Sequence, residues 1–224
     1  MARVMRATLA EQAYSELQSW IISGRLTSGQ RLFPEQLAGE LSVSPTPVKE
    51  ALALLQRDGL VEGFTRGASV VRRFTADDVV QIYDARQLLE LNAMAAGAGR
   101  IDDAFLARMQ EAHEAQMRHA ERRNRQDLAR AIGFDREFHE VIVNLANNAI
   151  MMDWHRTILR QTQTIRTHSL ESYDVERSRE DHGAIIEALC ARDIEAASAT
   201  LRVHLRGSRD GLLARLDSIF PEGS

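Results

Sequence analysis

From residue 74 onward, apolar residues recur every third or fourth position through long stretches that contain no proline until Pro221. Before that point the pattern is broken into short apolar bursts, separated by Gly, Ser and three of the four prolines, Pro34, Pro45 and Pro47. This change of period and punctuation divides the chain into two domains, residues 1–73 and 74–224. In the first, Leu9, Ala13, Leu17 and Ile21 keep an i, i+4 rhythm and predict a helix that ends before Gly24. A short helix is expected after Pro34, burying Leu37, Ala38 and Leu41. Ser44 followed by Pro45 predicts the start of a third, because the first N–H groups of a helix have no intrahelical partner and proline loses nothing there. Its buried face is Val48, Ala51, Leu52 and Leu55, and Gly59 ends it. The runs Leu60–Phe64 and Ala68–Arg72, either side of Thr65-Arg66-Gly67, predict a hairpin.

The second part opens on Thr75 with acids behind it, a helix start that complements the macrodipole. Six helices follow, at about 76–97, 102–123, 127–145, 149–170, 175–191 and 194–217. The breaks between them are short, and short breaks make sequential helices antiparallel neighbours in a bundle. The expected fold class is therefore mostly α. Three helices and a hairpin with a tight Ser42-Val43 link form an N-terminal winged helix-turn-helix, and a C-terminal all-α antiparallel bundle follows. In that motif the third helix enters the major groove of DNA and the hairpin is the wing.

Composition refines this picture only in places. The 224 residues are 44% hydrophobic and 27% charged, ordinary for a globular chain. No apolar run approaches the roughly 20 residues that span a bilayer, and the first residues lack the apolar core of a signal peptide. Cys190 is the only cysteine, so no intrachain disulfide forms; its place in the apolar run AIIEALCA predicts a core residue. The cytoplasm is the expected address. A net charge of −4 argues against nucleic acid until the chain is divided. Residues 1–73 hold nine Lys/Arg against seven Asp/Glu, the remainder 19 against 25, so a basic head precedes an acidic body.

The stretch IISGRLTSGQRLFPEQLAGELSVSPTPVKEALALLQRDGLVEGFTRGASVV resembles the DNA-binding domain of GntR-family regulators. The helical remainder, with YDARQLLEL early and an Asp-His, His, His series later, is similar to the FadR-type effector domain called FCD. The likeness runs over about residues 9–216. It implies a homodimer on operator DNA, controlled by a small carboxylate effector. Ser44, Thr46 and Lys49 at the start of the third helix are placed to meet phosphates or base edges, and Arg66 and Gly67 at the wing tip to approach the minor groove. The sequence departs from many members of the family at two positions. Pro45 stands where an arginine is common, and Lys49 replaces a second arginine, exchanging a bidentate fork for a point charge.

All seven histidines lie in the second part. Asp135 and His139 share one helix face at i, i+4, His182 stands among Ile185, Ile186 and Leu189, and His204 follows Leu201. One carboxylate and three imidazoles on three bundle helices can converge inside, where bundle metal sites are built. The set suits Zn²⁺, with Ni²⁺, Mn²⁺ or Fe²⁺ open by geometry and availability. The resemblance implies the same four ligands in the same order. Arg86 is expected to pair with an effector carboxylate, or else with Glu90 in a salt bridge, and Asn144 to line the same site. His113 and His119 read as a solvated face, and His155 and His168 have no spaced partner. Two alternatives stay open: a purely structural histidine cluster, and a metal-dependent enzyme. Against an enzyme, the chain has no H-E-x-x-H, P-loop, G-x-S-x-G or strand-borne G-x-G-x-x-G, and an enzyme would leave the winged helix unexplained.

Overall fold

A computed structural model describes residues 7–65, 67–170 and 173–216, without the side chains of 64 and 65. It divides into two compact units, Met1–Arg73 and Phe74–Ser224. The first begins with α1 (Leu9–Ile22), started by a capping box in which Thr8 and Glu11 each bond the other's backbone N–H. β1 (Arg31–Leu32), α2 (Pro34–Leu41), α3 (Pro45–Arg57), β2 (Val61–Thr65) and β3 (Ala68–Val71) follow. Ser42 turns the chain between α2 and α3 in a left-handed conformation, φ 55°, and the Val43 N–H closes back on the Ala38 carbonyl. Ser44 stands at the N-cap of α3, but its side chain makes no capping bond, so Pro45 and Pro47 in the first turn carry the start alone. The other end is a Schellman motif: Gly59 is left-handed at φ 71°, its N–H bonds Gln56, and the Leu60 N–H bonds Leu55.

The hairpin belongs to a three-stranded antiparallel sheet of order β1-β3-β2, with Leu32 opposite Ser69 and Val61 opposite Val71. Two-residue β1 is too short to show a period, which is why sequence pattern missed it. Leu17, Ile21, Leu32, Val48, Ala51, Leu55 and Leu60 close the core of this unit.

Among the described residues the second unit holds six α-helices, α4 (Ala76–Gly97), α5 (Asp103–Ala120), α6 (Arg125–Asn144), α7 (Ala149–His168), α8 (Val175–Cys190) and α9 (Ile194–Leu213), with a 3-10 turn at Ala98–Arg100. Each has a side-chain N-cap, from Thr75, Asp102, Asn124, Asn148, Asp174 and Asp193 in turn. α5 packs between α6 and α8, α4 packs on α6, α7 and α9, and α8 packs on α9. Met94, Phe105, Met109, Phe138, Ile142, Ile185 and Leu201 form the shared core. Cys190 is exposed at the end of α8, which corrects its reading as a core residue; its apolar neighbours face inward while it faces out. Among the described residues no helix is long and apolar enough to cross a membrane.

Gly97 lets the end of α4 meet the turn after α6. A Cβ there would lie 2.4 Å from the Leu145 carbonyl oxygen and 2.4 Å from its Cβ. That carbonyl is held by the Arg100 Nε, at 2.8 Å, and has little room to withdraw. Gly97→Ala is therefore expected to destabilise the chain by about 1–3 kcal/mol, read as a lower urea midpoint at unchanged slope.

Candidate functional site

Asp135, His139, His182 and His204 are all buried, and one ligand atom from each lies within 4.8 Å of the others. The four come from α6, α8 and α9, and each imidazole is anchored through Nδ1. His139 Nδ1 lies 2.7 Å from Glu90 Oε2, His182 Nδ1 2.8 Å from Gln116 Oε1, and His204 Nδ1 3.1 Å from Asp181 Oδ2. A carboxylate or amide oxygen accepts, so in a neutral ring the Nδ1 carries the proton and the Nε2 carries the lone pair. All three Nε2 atoms then present lone pairs to one region. His139 Nε2 is buried with no hydrogen-bond partner. His182 Nε2 and His204 Nε2 are 3.3 Å apart. Two lone pairs facing at that distance repel unless a cation joins them. Two nitrogens bound at about 2.1 Å to one tetrahedral ion are about 3.4 Å apart, so the spacing fits a shared metal. Imidazoles that ligate a metal through one nitrogen and donate the other N–H to a fixed acceptor are the usual arrangement around such ions.

Asp135 supplies the negative charge. Burial opposes its ionisation, but the Arg166 guanidinium and the surrounding imidazoles hold its carboxyl well below the usual range. Arg166 Nη1 bonds Asp135 Oδ2, and Gln116 Nε2 lies 3.0 Å from Oδ1. Burial, partly offset by Glu90, pushes His139 down to about 4, and burial with the neighbouring His204 holds His182 well below its ordinary value. Both rings are neutral at pH 7, the form a metal requires. The Phe138 ring lies parallel to His182, centroids 3.9 Å apart, and fixes its plane.

Glu90 is the buried hub of the α4 side. Its Oε2 serves His139, and its Oε1 lies 2.9 Å from Arg86 Nε and 3.0 Å from His155 Nε2. Arg86 thus makes the salt bridge with Glu90 that sequence left as its alternative role, while its buried Nη2 has no protein partner. Tyr83, one turn earlier, likewise has a buried hydroxyl with no partner. His155 was expected to stand alone and does not. Asn144, by contrast, is exposed at the last residue of α6, and the structure does not bring it to the cluster. His119 is paired, at 2.7 Å, with Asp127 and stacked on Phe134, and half-buried His113 meets the His182 ring edge-on, so neither is on a freely solvated face.

A cavity of about 490 Å³ opens beside His204, lined among others by Arg166, Tyr173, Arg177, Ser178 and Ser208. Gly207 makes room for Arg177, whose guanidinium occupies the space a Cβ would take. Gln116 and Arg166 escaped the sequence reading, and Glu90 entered it only as a partner for Arg86, not for His139 and His155. Their one signal is a charged or amide residue in register with a buried helix face, as Tyr83, Arg86 and Glu90 are at i, i+3 and i+7.

In the head, Ser44, Thr46 and Lys49 are exposed along the start of α3, and Lys49 Nζ lies 3.5 Å from Glu35 on α2. Gly67 is exposed with φ 78° at the hairpin tip. Arg66 lies outside the described residues.

A helix-turn-helix head with a small sheet, joined to a helical domain with a buried His/Asp cluster, defines a DNA-binding regulator. Residues 9–71 match the family described as "Bacterial regulatory proteins, gntR family", and residues 81–207 match the FCD domain. The chain belongs to the GntR family of transcriptional regulators with an FCD domain; it is not an enzyme. It is 29% identical to a gluconate operon transcriptional repressor of Bacillus licheniformis, over 84% of this chain and 78% of that one. It is 28% identical to a probable D-xylose utilization operon transcriptional repressor of Paenarthrobacter nicotinovorans, over 91% and 88%. E. coli McbR/YncC has the same fold, with a TM-score of 0.79 at 23% identity over 94% of this chain and 99% of that one.

The neutral rings carry a pH signature. The unfolded chain protonates His139 and His182 near the ordinary value of about 6.5, whereas folded His139 resists until about 4. Between those values the unfolded state binds more protons, so stability falls as pH is lowered. The melting midpoint of chelator-treated protein is expected to drop steadily from about pH 6.5 to 4. A midpoint that is flat or rises over that window overturns the neutral-ring assignment.

Proposed function

We propose that the protein is a cytoplasmic repressor, acting as a homodimer on operator DNA, whose affinity for that DNA is set by a small carboxylate bound at a metal in the helical domain. Asp135, His139, His182 and His204 hold the ion, and Zn²⁺ fits three imidazoles and one carboxylate best. The observation that carries the reading is the pair of inward lone pairs on His182 and His204, 3.3 Å apart, with both Nδ1 atoms already committed. When bound, the metal supplies a Lewis-acid position for a carboxylate or hydroxyl.

The rest falls to the protein's own groups. Arg166 beside Asp135, and Arg86 beside Glu90 with its Nη2 still without a partner, provide fixed positive charge and favour an anionic ligand. The cavity beside His204 gives that ligand room and polar partners in Tyr173, Arg177, Ser178 and Ser208. The two relatives named repressors of sugar or sugar-acid operons support an effector of that polarity. An effector that fits one packing of the six helices better than another shifts the population between them, and with it operator affinity. In the head, Ser44, Thr46 and Lys49 meet the DNA backbone and groove, with Arg66 and Gly67 at the wing. The exposed Lys49–Glu35 pair is weak and yields readily to a phosphate.

Metal analysis of purified protein is expected to give close to one zinc per chain, and His182→Ala to abolish it; wild-type protein without metal overturns the reading. Gel shifts on the promoter next to the coding gene, repeated with a panel of carboxylic acids, are expected to show release by at least one acid. Lys49→Ala is expected to weaken operator binding and lower its log–log salt slope by roughly 1, and an unchanged slope would remove Lys49 from the interface.

A further inference from the structure

Gln116 touches two of the four candidate ligands, one with each end of its carboxamide. It is fully buried on α5. Its Nε2 lies 3.0 Å from Asp135 Oδ1, and its Oε1 2.8 Å from His182 Nδ1. A carboxylate can only accept, so the nitrogen end must face Asp135, and this turns the oxygen toward His182. His182 then places its proton on Nδ1 and its lone pair on Nε2, toward the other ligands. One amide thereby orients Asp135 and sets the tautomer of His182.

The nitrogen end is also oversubscribed. Tyr173 Oη lies 2.7 Å from Nε2 and Ser178 Oγ 2.9 Å from it, beside Asp135. An NH₂ group has two hydrogens for these three acceptors. With one hydrogen on Asp135, the other goes to Tyr173 or to Ser178. Both residues line the cavity, so a ligand that engages one of the hydroxyls decides which of them Gln116 serves. We propose that Gln116 is a positioning residue that couples the contents of this cavity to the metal ligands Asp135 and His182. The proposal rests on the metal-and-effector reading above and adds the path between the two ligands.

Zinc affinity of the full-length chain, measured by competition with a chromophoric chelator, tests it, with folding checked by circular dichroism. Gln116→Met keeps the volume and removes both ends of the amide; it is expected to weaken zinc binding roughly 10–100-fold. Tyr173→Phe alters the cavity side alone. It is expected to change zinc affinity about threefold or more by itself, and to have almost no effect when combined with Gln116→Met. Equal effects of Tyr173→Phe in both backgrounds, or a folded Gln116→Met chain that binds zinc like the wild type, overturn the coupling. Should Gln116→Met fail to fold, Gln116→Glu keeps the acceptor for His182, sets a second carboxylate against Asp135, and is scored by the same loss of zinc affinity. The imidazole ¹⁵N spectrum of the metal-free protein needs no metal at all: His182 is expected to be protonated at Nδ1 in the wild type and to redistribute toward Nε2 in Gln116→Met. An unchanged tautomer overturns the role of Gln116, whereas wild-type protein that binds no zinc overturns the metal reading.

Discussion

Burying Asp135, His139, His182 and His204 in the middle of a helical domain imposes the constraint that organises everything around them. An unpaired charge or polar group removed from water costs several kcal/mol, so each needs a partner from another helix. The solution recruits all six helices. α4 supplies Arg86 and Glu90, α5 supplies Gln116, α7 supplies His155 and Arg166, and α8 supplies Asp181 beside His182. Asp135 is held by Arg166 and Gln116, Glu90 by Arg86 and both neighbouring histidines, and His204 by Asp181. What the network leaves unspent is a set of inward-facing imidazole nitrogens around one carboxylate.

That remainder makes the core responsive. An apolar core of Phe138, Ile142 and Ile185 packs in one way and is indifferent to small polar solutes. A polar core whose last lone pairs await a cation gains stability from whatever binds there, in proportion to affinity and concentration. The cavity along His204, Tyr173 and Ser178 opens against the same hydrogen bonds. On the proposed reading, metal and effector act on one network, and regulation needs no longer path than a single amide within the domain.

Much of the architecture was legible in the chain itself. Six helices followed from the 3.6-residue rhythm after Phe74 and from breaks at residues such as Asn124 and Asn147-Asn148, because cap and period are local properties. The Schellman end at Gly59 and the hairpin were equally local. β1 was not, since two residues carry no period and exist as a strand only because β3 bonds them. Cys190 was misplaced for a related reason: an apolar neighbourhood in sequence does not say which side of the helix a residue takes.

The candidate site divides along the same line. Sequence alone determined the residue types of the cluster and their spacing, because Asp135 and His139 one turn apart must share a helix face. It also determined that the head is a GntR-type DNA-binding domain, since the motif from Ser44 to Lys49 is contiguous. Only the tertiary structure decided that His182 and His204 meet those two, that Glu90 turns inward to bind His139 and His155, and that Arg166 and Gln116 hold Asp135. Those contacts join residues 19 to 69 positions apart, across helices whose register is set by packing. No local rule encodes which polar side chain will be left facing another when six helices close.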